Sequence, residues 1–128
     1  RESGLNIRLH SEAVVITGDL RGVARVLRNL LDNAVRHAKS TIEIAVRQRN
    51  TSAVLTVADD GPGILAEDRT RVFDRFVRLD ADRSRDGGGN GLGLAIVAEI
   101  VASHNGTVSI DDRTGGGTVF TVTFPSLL

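Results

Sequence analysis

The chain has 128 residues, a length typical of one domain with its own hydrophobic core. Its 16 basic and 16 acidic residues cancel, so no global field attracts nucleic acid or an anionic membrane. The absence of cysteine excludes a disulfide framework, a thiolate metal site and a cysteine nucleophile, and fits a reducing compartment. No apolar run approaches the roughly 20 residues of a membrane span, and no signal peptide is visible. We expect a single domain over residues 1–128, which is a fragment of a longer protein because methionine is absent even from position 1.

Two short strands are predicted first, at residues 6–10 and 14–17, with a polar turn between them. A helix follows, with Asp19 as its N-cap and its end at Lys39. Apolar side chains at helical spacing predict that one side of this helix packs on a core. They are Val23, Leu27, Leu30, Leu31, Ala34 and Ala38.

The opposite side of this helix carries Asn29, Asp32, Asn33, Arg36 and His37. A merely solvated face would favour glutamate and lysine, which are better helix formers than asparagine or aspartate. Asn29 and Asn33 lie one turn apart in mid-helix, where no cap is needed. Their amide oxygens suit Mg²⁺, which takes few protein oxygens beside substrate phosphates; a solvated polar surface is the alternative. His37 also has a structural interpretation, because a helix C-terminus favours a cation.

An antiparallel hairpin is predicted next, because residues 41–49 and 53–58 alternate around a turn at residues 50–52. The second strand leads into residues 59–64, a turn signal rich in glycine and carboxylates. A carboxylate at a strand end can accept a hydrogen bond from an exocyclic amine such as that of adenine, and glycines let the base approach the backbone. An ordinary turn is the alternative. A short helix is predicted over residues 67–73.

Residues 79–90 are mostly charged or glycine and show no apolar periodicity, which predicts a mobile loop that acts as a lid rather than as a simple connector. The glycine-rich residues 86–96 then pass into a helix over residues 92–104, whose amino end favours an anion. This run predicts a nucleotide phosphate site, with a flexible loop as the alternative. A dinucleotide fingerprint is excluded because no strand precedes the glycines. A P-loop is excluded because Leu92 and Leu94 stand where lysine and a hydroxyl are required.

The helix over residues 92–104 is expected to stop at Asn105 and Gly106. Strands at residues 107–110 and 118–124 complete the chain, joined by a turn at residues 111–117. This order of elements predicts an α+β two-layer sandwich, with helices on one face of a largely antiparallel sheet.

Five motifs, in this order, resemble the ATP-binding catalytic domain of sensor histidine kinases, within the wider group that includes gyrase, the Hsp90 chaperones and MutL. Residues 29–37 resemble the N box and residues 59–63 the first glycine box. Residues 73–76 resemble the F box, residues 89–94 the second glycine box and residues 115–118 a third. The F box is typical of the histidine kinase branch rather than of its ATPase relatives.

The resemblance implies a mixed sheet of about five strands, covered on one face by three helices, with a flexible ATP lid. It implies ATP and Mg²⁺ as ligands, with Asn33 as the metal ligand and Asp59 as the partner of the adenine amine. Asp32 and Asn33 are the implied catalytic residues, Asp32 by polarising an acceptor histidine. The implied nucleotide contacts are Asn29, Asn33, Arg36, His37, Asp59, Gly61, Gly63, Ile64, Arg75, Arg78, Gly89, Gly91, Leu92, Gly93, Leu94 and Thr118.

The resemblance also implies a protein-histidine kinase that donates the γ-phosphate of ATP to a histidine on a separate dimerisation and phosphoacceptor domain, with a response regulator downstream. None of His10, His37 and His104 has the sequence context of an acceptor, so the fragment is expected to bind ATP without phosphorylating itself, as a monomer. A cytoplasmic place in bacterial two-component signalling is expected, with no nucleic acid and no direct membrane contact, whether or not the parent is membrane-anchored. Two alternatives stay open: an ATPase acting as a conformational clamp, and a serine kinase of the anti-sigma-factor type.

Overall fold

The computed structural model describes residues 4–74 and 93–127. This part of the chain forms five strands, two α-helices and two single-turn 3-10 helices. In order, they are β1 (Asn6–Ser11), α1 (Leu20–His37), β2 (Thr41–Arg49), β3 (Ser52–Asp59), the 3-10 helices Ala66–Asp68 and Arg71–Phe73, α2 (Gly93–Ser103), β4 (Thr107–Asp112) and β5 (Thr118–Pro125). The predicted α+β class is confirmed.

The five strands form one sheet in the order β1-β2-β3-β5-β4. β1 is parallel to β2, and every other neighbouring pair is antiparallel, so the sheet is mixed as expected. The predicted hairpin is confirmed as β2 and β3, joined by a tight turn in which Asn50 takes a positive φ of 54°. Asparagine tolerates this left-handed conformation better than most residues.

A single hydrophobic core lies between the sheet and the two α-helices. Alternation along β3 and β5 turns one set of side chains toward this core, where Phe120 and Val122 are almost fully buried. The helices contribute Leu30 and Val26 from α1 and Val97 from α2, each with no exposed surface. The helices therefore cover one face of the sheet, which is the predicted two-layer arrangement.

The predicted strand over residues 14–17 is wrong. These residues form no strand, although the Val15 carbonyl accepts a hydrogen bond from the Leu127 amide at 2.7 Å. The short turn expected after β1 would have produced an antiparallel partner, whereas β1 pairs in parallel with β2. The following residues must then leave the sheet and run toward the start of α1.

The apolar face predicted for α1 needs a correction. Leu27, expected in the core, is 37% exposed, while Val26 is completely buried. Asn33 is also buried, with 6% of its surface exposed, and α1 packs against α2 as well as against the sheet. A second packing partner widens the buried stripe of a helix beyond the side that faces the sheet.

The single short helix expected over residues 67–73 is replaced by the two 3-10 helices. Their hydrogen bonds span three residues, as from the Asp74 amide to the Arg71 carbonyl at 2.9 Å. The stop predicted for α2 is confirmed, since Asn105 has a φ of 59° and the Gly106 amide donates to the Val101 carbonyl. The predicted loop over residues 79–90 lies outside the described residues.

His104 joins the end of α2 to the start of α1. Its Nε2 accepts a hydrogen bond from the Asp19 amide at 3.0 Å, and its Nδ1 lies 2.8 Å from the Ile100 carbonyl oxygen. A carbonyl only accepts, so Nδ1 carries the proton in this arrangement. A Cβ on Gly18 would collide with the imidazole ring, whose edge also packs on Phe124. His104 therefore has a structural role.

Replacing His104 by alanine is expected to lower the free energy of unfolding by about 1–3 kcal/mol, because the substitution removes both the packing of the imidazole on Phe124 and the hydrogen bond that joins the two helices. Urea unfolding followed by circular dichroism measures this loss. His10→Ala is the matched control, since His10 lies on an exposed edge strand and makes only a 3.6 Å contact with Glu12. The control should change stability by less than about 0.5 kcal/mol. Equal losses in the two variants would contradict the role given to His104.

Candidate nucleotide-binding site

A buried carboxylate marks the end of β3. Asp59 is the last residue of that strand and is 2% exposed; the sheet register places it between Ile42 of β2 and Thr118 of β5. Its Oδ1 accepts a hydrogen bond from the Gly61 amide at 2.8 Å. Its Oδ2 accepts none from the described residues, which leaves an acceptor for a ligand amine.

Burial raises the pKa of Asp59 above its ordinary value, because removal from water disfavours the charged form. The hydrogen bond from the Gly61 amide and the neighbouring His37 act in the opposite direction. A hydrogen-bond donor on a ligand would therefore stabilise the ionised carboxylate of Asp59.

Three glycines leave the backbone bare around Asp59. A Cβ on Gly61 would collide with the His37 carbonyl, and a Cβ on Gly117 would collide with the Asp59 carbonyl. Gly63 has a φ of +83° and Gly117 a φ of +117°, a region that favours glycine. The first and third glycine boxes are thus packed together at the end of β3, with no room for side chains.

Asp60, next in sequence, performs a different task. Its carboxylate accepts hydrogen bonds from the amides of Lys39, Ser40 and Thr41 and from the Ser40 hydroxyl, at 2.7–3.1 Å. These donors hold the pKa of Asp60 well below its usual range. Asp60 therefore fastens the connection between α1 and β2 to the end of β3, a role that the sequence analysis missed.

Replacing Asp60 by alanine is expected to lower the melting temperature in a pH-dependent way. Because the folded-state pKa is lowered, the stabilisation is complete above the ordinary value of 3.8 and is lost as pH falls below it. The gap between wild type and variant should be constant above about pH 5 and shrink toward about pH 3. Thermal melting across this range measures the gap, with exposed Asp111→Ala as the control variant. A gap that stays constant through the acid range would contradict this role.

The polar face of α1 lies beside the glycine boxes. Asn29 Nδ2 donates to the Gly93 carbonyl at 3.1 Å, which connects the N box to the start of α2. Asn33 Oδ1 accepts from the Arg36 guanidinium at 3.3 Å, and His37 Nδ1 lies 2.9 Å from the Asn33 carbonyl oxygen. Asp32 is exposed. Since the His37 carbonyl also faces Gly61, the N box and the first glycine box are adjacent.

The donor set on this face fits Mg²⁺. Asn29 and Asn33 present neutral amide oxygens from successive turns, and such hard oxygen ligands suit this ion beside phosphates and water. The Asn29 Oδ1 accepts no hydrogen bond from any residue within 4–74 or 93–127. Within the same ranges no group of three or more histidine, aspartate or glutamate side chains is placed to hold a metal.

The structure brings together many of the residues predicted for the site. Asp59, Gly61, Gly63 and Thr118 gather at the end of β3, next to the N-box face of α1. Ile64 and Leu94 are partly buried against the core, and Gly93 begins α2. The predicted contacts that lie outside the described residues are Arg75, Arg78, Gly89, Gly91 and Leu92.

Two further contacts hold the segment after the first glycine box, and the sequence analysis missed both. The Arg69 guanidinium donates to the Ile64 carbonyl at 3.1 Å and to Asp112 of β4 at 2.6 Å. Phe73, the first residue of the F box, packs edge-on against Phe120 with ring centroids 6.3 Å apart. The F-box resemblance pointed to Phe73, but its partner Phe120 on β5 is 47 positions away in sequence, and no local pattern indicated that contact.

The α+β sandwich, with a buried aspartate between glycine turns and an asparagine-bearing helix beside it, has the fold of solved histidine kinase ATP-binding domains. Residues 18–128 match the family described as "Histidine kinase-, DNA gyrase B-, and HSP90-like ATPase", and the chain belongs to that family. Within it, the chain is the catalytic ATP-binding domain of a sensor histidine kinase.

Relatives and solved structures agree with this assignment. The chain is 48% identical over 107 residues to the Escherichia coli sensor protein RstB, covering 84% of this chain and 25% of RstB. It superposes on the mycobacterial sensor histidine kinase MprB with a TM-score of 0.87 and 31% identity, over 97% of this chain and 85% of that one. Full-length ShkA in complex with AMPPNP gives a TM-score of 0.84 at 29% identity, over 98% of this chain and 26% of ShkA.

The chain spans about a quarter of the length of RstB. None of the helices within the described ranges is both long enough and apolar enough to cross a membrane.

Proposed function

We propose that this domain binds Mg-ATP and donates the γ-phosphate to a histidine on a separate dimerisation and phosphoacceptor domain of its kinase, with a response regulator as the next partner. The observation that carries the proposal is the buried Asp59 carboxylate, which keeps one oxygen available beside bare glycine backbone and the N-box face. The sensor kinase relatives and the AMPPNP complex of ShkA support it.

The adenine end of the nucleotide is assigned to Asp59. Its Oδ2 accepts a hydrogen bond from the exocyclic amine, and Thr118, which is 4% exposed, lies opposite it in the register. Gly61 and Gly63 let the base approach the backbone, and Ile64 supplies apolar surface. Buried acceptors of this kind give selectivity, because a ligand without the matching donor leaves them unpaired.

The phosphate end is assigned to the N box and the second glycine box. Asn33 would hold Mg²⁺ through its amide oxygen, supported by Asn29, and the ion held there would neutralise phosphate charge. Arg36 is oriented by its hydrogen bond to Asn33, and Asp32 stays exposed, where an acceptor side chain can reach it. His37, Gly93 and Leu94 complete the described part of this end. Arg75, Arg78, Gly89, Gly91 and Leu92 are assigned to it through their motifs alone.

The same proposal covers how the domain works within its kinase. Residues 1–128 act as one cytoplasmic, monomeric domain that works on a partner domain rather than on itself. Positioning and charge neutralisation supply most of the catalysis in phosphoryl transfer, so a domain that holds ATP needs only an acceptor brought to it.

The test combines this domain, radiolabelled Mg-ATP and the purified helical phosphoacceptor domain of the parent kinase. We expect label on the helical domain in an acid-labile, alkali-stable form, and none when its acceptor histidine is replaced by glutamine. Acid-stable label would instead indicate a serine kinase. Nucleotide-dependent dimerisation with ATP hydrolysis by the domain alone, and no transfer, would indicate a conformational clamp.

A further inference from the structure

Three arginines form an exposed row along the first half of α1. Arg21, Arg25 and Arg28 are spaced four and three residues apart, which places them on one side of the helix. They line a shallow surface cleft of about 590 Å³, together with Ala24, Asn29 and Asp32. We call these three residues the arginine row.

No ion pair to any described residue neutralises the arginine row. Other arginines of the domain behave differently: Arg69 pairs with Asp112, Arg71 with Asp68 and Arg113 with Glu43. Three guanidinium groups and the Asp32 carboxylate are the charged groups that line this cleft, so the cleft is locally positive although the whole chain has no net charge. The Asp19 carboxylate at the start of α1 accepts a hydrogen bond from the Arg21 amide and offsets the positive end of the helix dipole, so the positive charge of the cleft comes from the guanidinium groups.

The cleft is continuous with the proposed transfer site. Asp32 and Asn29 line the cleft, and Asn29 also bonds to the start of α2. A protein that brings an acceptor side chain to Asp32 must therefore pass within reach of the arginine row. Three fixed charges beside the point of transfer are well placed to orient such a partner.

We propose that the arginine row docks acidic side chains of the helical phosphoacceptor domain, and so orients the acceptor histidine toward Asp32. The inference rests on the proposed function. This chain covers only 25% of RstB, so most of such a kinase lies outside this domain and can supply the acidic surface. Exposed guanidinium groups pair with carboxylates through a planar fork of donors, which favours one orientation of the partner.

The experiment measures transfer in trans from Mg-ATP to the purified helical domain, as a function of helical-domain concentration. The triple variant Arg21→Glu, Arg25→Glu, Arg28→Glu is expected to raise the KM for the helical domain about tenfold or more, with ATP affinity unchanged. High salt should raise the KM of the wild type and narrow its difference from the variant, because salt screens exposed charges. A double variant Arg8→Glu, Arg47→Glu is the control, since both arginines lie on the sheet face away from the helices.

Each outcome decides the proposal. A KM within about twofold of wild type at low salt overturns it, and so does an equal effect in the control variant. If the triple variant also loses ATP affinity, the arginines contact the nucleotide and the proposal is wrong. If it loses binding to anionic vesicles while its KM is unchanged, the arginines bind a lipid surface and the proposal is again wrong. Absence of transfer by the wild-type domain, with ATP still bound, overturns the proposed function and this inference with it.

Discussion

Replacing Asp59 by asparagine is expected to weaken ATP binding about 100-fold or more. The side-chain shape is kept, and Oδ1 can still accept from the Gly61 amide. The amide nitrogen then occupies the position of Oδ2, where it faces the donor hydrogens of the adenine amine. If the amide rotates to relieve this clash, the Gly61 amide loses its acceptor instead. Isothermal titration with ATP measures the loss.

Two controls separate recognition from folding in this experiment. Burial raises the pKa of Asp59, so a neutral replacement removes an unfavourable buried charge, and the ligand-free Asp59→Asn variant should melt no lower than wild type at neutral pH. Guanine has a carbonyl where adenine has its amine. The ratio of ATP affinity to GTP affinity should therefore be smaller in Asp59→Asn than in wild type. Asp60→Asn should alter stability while changing ATP affinity less than about threefold. Wild-type ATP affinity in Asp59→Asn would rule out the assigned contact.

Replacing Asn33 by alanine is expected to reduce phosphoryl transfer about 100-fold or more. The substitution removes the proposed metal oxygen and the acceptor that orients the Arg36 guanidinium. Both losses act on the phosphate end of the nucleotide, where charge must be neutralised during transfer. Affinity for ATP measured in the presence of EDTA should change little, whereas the gain in affinity on adding Mg²⁺ should disappear.

The matched variants for this position are Asn33→Asp and Asn6→Ala. Aspartate keeps an oxygen that can bind the metal, so part of the Mg²⁺-dependent gain should return. Asn6 lies on the exposed edge strand β1, so its replacement removes an amide without touching the site. Titrations with and without Mg²⁺, with melting curves as a check on folding, measure these effects. An undiminished Mg²⁺ effect in Asn33→Ala would refute the metal role.

Local patterns in the sequence predicted most of the regular structure. The hairpin of β2 and β3 follows from alternation on both sides of a turn, and α1 begins where Asp19 accepts from the Arg21 amide at 3.1 Å. These signals act between residues that are near in sequence, so no knowledge of distant contacts is needed. The same holds for Asp59, which ends a predicted strand and is followed at once by glycines.

The sequence alone therefore determined the class of fold, the main elements and the motifs of the candidate site, because each depends on short-range periodicity, caps and turns. Only the tertiary structure decided the parallel pairing of β1, the burial of Asn33 and the roles of Asp60 and His104. His104 bonds to a residue 85 positions away, and Asp60 to Ser40, 20 positions away. Which residues form these long-range hydrogen bonds depends on how the sheet and the helices pack. Packing brings together residues whose local sequence patterns are independent of each other.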